Sequence, residues 1–160
     1  MRILGIDPGT GIVGFGVIDS DGRNHVMVDA GVIRTPAHQD LELRLQTIFE
    51  SLQEIIAETK PEYMVIEKLF FAKNVTTAMS VSHARGVIML SGVQAGVKII
   101  EYTPLQIKQA LTGYGRAEKH QIQEMVRMSL KLKTIPKPDD CADALAAALT
   151  FATAPLIAHL

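Results

Sequence analysis

Two short apolar runs, each closing on a carboxylate, constrain this chain more than any other feature. Residues 2–7 (Arg-Ile-Leu-Gly-Ile-Asp) and 63–67 (Tyr-Met-Val-Ile-Glu) have the length and apolar content of buried strands rather than helices. An acid at the end of such a strand is costly unless it is hydrogen-bonded, paired or bound to a metal. In open α/β sheets the ends of the parallel strands line the ligand crevice. If the two strands are neighbours, Asp7 and Glu67 therefore face one site.

The rest of the pattern supplies a sheet around them. Residues 13–19 and 25–34 read as strands joined through Ser20-Asp21-Gly22-Arg23-Asn24, so the chain opens as an antiparallel meander. Leu41, Leu45, Ile48, Phe49, Leu52, Ile55 and Ile56 recur at helical spacing up to Lys60-Pro61. Residues 68–74 read as a polar loop before a long helix over 75–94 and a fifth strand over 98–102. Thr103-Pro104 opens a short helix in cap-then-proline order, and further helices are expected over about 117–130 and 139–152. The expectation is an α/β fold: a mixed five-stranded sheet, an antiparallel meander plus parallel strands, with helices on both faces. No repeat or linker divides residues 1–160, which read as a single domain. The stretch from Ala144 to Ala158 is broken by Pro155 and too short to span a bilayer, so it reads as a buried helix and no membrane partner is expected. The one cysteine, Cys141, excludes an internal disulfide and a thiolate zinc site, and suits a reducing cytoplasm.

A third group of acids, Asp139, Asp140 and Asp143, opens the last helix. Asp139 reads as a helix cap, whereas Asp140 and Asp143, three apart, project from one face. Acids that converge without organised His or Cys ligands select a hard cation, most often Mg2+. The implied chemistry is two-metal phosphoryl transfer, and without metal at least one of the crowded carboxylates should carry a raised pKa. Charge is segregated to match. Residues 1–59 hold 4 Lys/Arg against 9 Asp/Glu, residues 60–138 hold 12 against 5, and residues 139–160 hold none against 3. A basic middle beside acidic ends suits a protein that holds metal with its carboxylates and a phosphate backbone with its lysines.

Four segments occur in order: Gly5-Ile6-Asp7-Pro8-Gly9, Glu67-Lys68-Leu69-Phe70-Phe71-Ala72-Lys73-Asn74, Gly113-Tyr114-Gly115-Arg116-Ala117-Glu118-Lys119 and Asp140-Cys141-Ala142-Asp143-Ala144-Leu145. Together they resemble the RuvC family of bacterial Holliday junction resolvases, over nearly the whole chain. The resemblance implies a ribonuclease-H-like fold, a homodimer, and Mg2+-dependent nicking of two opposed strands of a four-way DNA junction, with Mn2+ able to substitute at the two-ion site. Asp7, Glu67, Asp140 and Asp143 match the catalytic carboxylates of the family, some members of which carry histidine at the position of Asp140. Lys119 matches a lysine near the active site, Lys108 a second basic position on the DNA side, and Phe70 an aromatic that stacks on bases near the crossover. Phe71 is expected in the core, and Lys73, Arg85, Lys108, Arg116 and Lys119 are candidate phosphate contacts. The branch-migration proteins RuvA and RuvB are implied as partners. Two other readings compete: a YqgF-type nuclease with nearly the same acids, and an actin-like nucleotide-binding domain suggested by Gly5 to Gly11.

Overall fold

The computed structural model describes residues 1–68 and 75–154. Its elements run β1 (Arg2–Asp7), β2 (Ile12–Ser20), β3 (His25–Arg34), α1 (Leu41–Thr59), β4 (Tyr63–Glu67), α2 (Val75–Gln94), β5 (Lys98–Tyr102), α3 (Pro104–Thr112), α4 (Lys119–Ser129) and α5 (Asp139–Thr153). The strands form one sheet in the order β3-β2-β1-β4-β5. β1 pairs antiparallel with β2 and parallel with β4, and β5 runs parallel to β4. The meander plus parallel strands expected from the sequence is the observed sheet.

Strand alternation sorts the side chains into two cores. Leu4, Ile6, Met64 and Ile66 pack on one face against Ile48, Leu52 and Ile56 of α1 and Ala84 and Ile88 of α2. Ile3 and Val65 pack on the other face against α3, α4 and α5. The alanine-rich stretch is a buried helix as far as it is described: from Cys141 to Ala152 only Asp143 is not fully buried, and residues 155–158 lie outside the described residues.

α5 lies against the backbone of β1 and β2, and glycines make that approach possible. A Cβ on Gly5 would overlap the carbonyl oxygen of Ala144, and one on Gly14 would overlap that of Asp140. At the far end of α1, Lys60 adopts the left-handed conformation (φ 50°) and its N–H donates to the Ile56 carbonyl, so the helix stops before Pro61. The Thr103 hydroxyl accepts from the Gln106 N–H at 3.2 Å while the Thr103 N–H donates to the Gln106 side chain at 2.8 Å, closing a capping box on α3.

Two boundaries differ from the sequence pattern. α4 starts at Lys119 rather than near Ala117, because Glu118 is extended and its N–H donates to the Gln121 side chain at 2.7 Å. Asp139 is not the cap of α5. Pro138 occupies that position and Asp139 is the first helical residue, its carboxylate drawn away to α4. Among the described residues no helix is long and apolar enough to cross a membrane.

Candidate active site

Ile6 and Ile66 are register partners in the parallel β1–β4 pair, so Asp7 and Glu67 follow as neighbours at the carboxyl ends of adjacent strands. Ile6 and Ile66 point to the α1/α2 core, and alternation turns the next residue of each strand to the opposite face, under α5. Asp7 is also the register partner of Gly14, the glycine on which the Asp140 backbone rests. The same close approach that requires glycine thus delivers the acidic first turn of α5 to the end of β1. Asp143, one turn on, shares a cleft of ≈ 300 Å³ with Glu67, Lys108 and Lys119, walled by Ile107 and Ile122.

The electrostatics show how crowded this end of the sheet is. Burial, then the charges of Glu67, Asp143 and Asp140, push Asp7 up to about 8, with Lys119 opposing. Glu67 is pushed up to about 7 by burial and the charge of Asp143, against Lys108 and Lys119. Burial also raises Asp143, while Lys119 lowers it. The Lys119 ammonium lies 3.2 Å from Asp139 and 3.4 Å from Asp143. Burial pulls its pKa down, but the Asp139 hydrogen bond and the charge of Asp143 hold it above the ordinary lysine value.

Four carboxylates without thiolate or imidazole form a donor set suited to a hard cation, and the burial and mutual repulsion that raise Asp7 and Glu67 are what such a cation offsets. As they stand, no three acidic, histidine or cysteine side chains among the described residues are grouped tightly enough to cage one ion. The donor chemistry fits Mg2+, and Lys119 supplies the balancing positive charge in this arrangement.

The basic candidates divide by position. Lys108 on α3 is half-buried in the cleft wall, while Arg116 and Lys119 are exposed just before and at the start of α4. Arg85 lies on the opposite side of the sheet, paired with Glu101 of β5. Phe70, Phe71 and Lys73 lie outside the described residues. Sequence reasoning missed Gln123, which donates to Asp139 at 3.2 Å, and the glycines that seat α5. Glycine at positions 5, 14 and 16 of otherwise apolar strands was the available signal for a closely packed helix.

A sheet ordered β3-β2-β1-β4-β5, with its inner carboxylates under a helix that crosses β1 and β2, defines the ribonuclease-H-like class. Residues 3–151 match the family described as crossover junction endodeoxyribonuclease RuvC, and the chain belongs to that family. The RuvC of Brevibacillus brevis is 57% identical over 152 residues, covering 95% of this chain and 92% of the relative. The structure of Thermus thermophilus RuvC superposes with a TM-score of 0.90 at 35% identity, over 96% of this chain and 94% of that one. T. thermophilus RuvC in complex with Holliday junction substrate matches with a TM-score of 0.88 at 33% identity, over the same shares.

Proposed function

We propose that this chain is a structure-selective endonuclease that resolves Holliday junctions by symmetric, metal-dependent hydrolysis of phosphodiester bonds in two opposed DNA strands during recombination and repair. The observation that carries the reading is the arrival of Asp7 and Glu67 at one end of the sheet beneath Asp140 and Asp143, in a chain of this family. Asp7, Glu67, Asp140 and Asp143 would hold two Mg2+ ions, or Mn2+ in their place. Bound there, the ions supply the charge that makes water nucleophilic at neutral pH and offsets the developing charge on the leaving oxygen.

The chain's own residues do the remainder. Lys119, held at the cleft by Asp139 and Asp143, offsets charge on the reacting phosphate. Lys108 and Arg116 contact the phosphate backbone beside the cleft, Lys73 is a further phosphate contact by its sequence position, and Phe70 stacks on bases opened near the crossover. The unit spanning residues 1–160 acts as a homodimer in the cytoplasm, its seam on α2, where Val75, Met79, Leu90 and Val93 are 75%, 57%, 50% and 64% exposed. A two-fold dimer offers identical sites to two strands of like polarity, which symmetric incision requires. RuvA and RuvB are the proposed branch-migration partners.

The test compares a synthetic four-way junction with linear duplex, in Mg2+ and in EDTA. Paired symmetric nicks confined to the junction and dependent on metal are expected. Equal cutting of duplex, or cutting in EDTA, would refute the assignment.

A further inference from the structure

Arg85 and Glu101 form an ion pair on the side of the sheet away from the carboxylate cluster. Their side chains are 21% and 26% exposed, and Arg85 Nε and Glu101 Oε1 have no hydrogen-bond partner among the described residues apart from that pair. The guanidinium is therefore turned inward and substantially desolvated, which is a poor posture for a phosphate contact. Removing either partner alone would leave a charge poorly solvated and unpaired.

The pair sits where it can control the end of β4. α2 runs across β5 with Gly92 over Ile99, close enough that an added Cβ would come within 2.6 Å of the Ile99 Cδ1. Seven residues earlier in α2, Arg85 meets Glu101, two residues further along the same face of β5. Ala84, just before Arg85, and Ile88, between Arg85 and Gly92, are fully buried. Glu101 is the register partner of Ile66, and the next pair in the ladder is Glu67 with Tyr102. The Lys68 N–H then donates to the Tyr102 carbonyl at 2.8 Å, fixing where the chain leaves the sheet. The ion pair thus grips the strand end that carries Glu67 from behind, and ties it to α2.

We infer that Arg85 and Glu101 are paired positioning residues: they lock α2 to β5 so that Glu67 is held in place, and Arg85 is not a phosphate ligand. The inference rests on the nuclease reading for its cleavage readout alone. It differs from a phosphate-contact role in a way that charge substitution exposes. A phosphate contact needs only the arginine, whereas a brace needs both residues equally.

The experiment compares wild type with Arg85→Gln, Glu101→Gln, the reciprocal swap Arg85→Glu/Glu101→Arg, and the apolar pair Arg85→Met/Glu101→Met, which removes both charges together and guards against misfolding. Single-turnover cleavage of a four-way junction, junction affinity as a function of salt, and thermal melting are measured for each. The brace predicts that both single variants cut at least tenfold more slowly, with junction Kd within about twofold and an unchanged salt slope. It also predicts that the swap restores at least part of the lost rate, and that the two single losses in Tm do not add in the Met pair. A salt slope reduced by about one in Arg85→Gln, with Glu101→Gln cutting normally, would assign Arg85 to phosphate and overturn the inference. Wild-type rates in both single variants would overturn it as well. If the wild-type protein cut no junction, the nuclease reading would fail, while the salt slopes and the coupling in Tm would still decide between brace and phosphate contact.

Discussion

Asp7 and Glu67 are protonated in the metal-free fold at pH values where free carboxylates are ionised, and this sets a stability profile. Their ordinary values, 3.8 and 4.5, are raised to about 8 and about 7 in the fold. Well below pH 3.8 both states hold the protons and there is no penalty. As pH climbs toward 8 the unfolded chain gives up protons that the folded chain retains, so stability contributed by these two groups is lost across that window. Without metal, Tm should fall between pH 4.5 and 8, and Asp7→Asn should melt higher than wild type at pH 8; calorimetry in EDTA checks both. A kcal/mol recovered corresponds to about 2–4 °C in a domain of this size. Mg2+ should raise the wild-type Tm at pH 8 by more than that of the variant. Asp7→Asn should also bind junctions as wild type does while losing cleavage, and retained cleavage would contradict the proposed ion set. Asp7 and Glu67 were legible as candidates because a charge ending an apolar strand has few uses. The Asp139 contacts were not, since nothing local says that a residue at a helix start will reach Lys119 and Gln123 on another helix.

At the level of elements, the position of α5 decides whether four acids become one site. Gly5→Ala would drive a methyl into the Ala144 carbonyl. The expected cost is about 1–3 kcal/mol or more from overpacking, seen in denaturant melts, together with lost cleavage as Asp140 and Asp143 shift. Thr103→Ala removes a bond of the α3 cap and should cost about 1 kcal/mol, with a smaller effect on cleavage than Gly5→Ala. Most element boundaries could be read from the chain, because apolar runs, capping residues and Pro or Gly stops are local signals. α4 begins later than its pattern suggested, since the Glu118–Gln121 bond holds the chain extended before Lys119. The pairing of β1 with β4 was only a condition in the sequence reading; the helix between them makes a parallel neighbour accessible, but packing selects it.

For the whole molecule, the acidic ends and the basic middle of the chain meet in space: Glu67 and Asp143 share one cleft with Lys108 and Lys119, while Arg116 is exposed just before α4. Junction affinity should fall steeply with salt, read as the slope of log Kd against log salt. If α2 forms the dimer seam, Met79→Asp should produce monomers in sedimentation and replace paired incision by single nicks. The residues of the helix over 75–94 could be read from the sequence. Which of them stay exposed could not be, because that depends on where the sheet and α1 cover the helix: Ala84 and Ile88 are buried while Met79 and Val93 face outward. The amino-acid sequence by itself determined the order of the elements, the strand-ending acids and the absence of a disulfide, since each depends on residue type and short-range periodicity. Tertiary structure alone decided that β1 and β4 adjoin, that α5 settles on glycine backbone above them, and that Arg85 turns to Glu101. Those choices depend on contacts between residues far apart in the chain, whose energies no local pattern encodes.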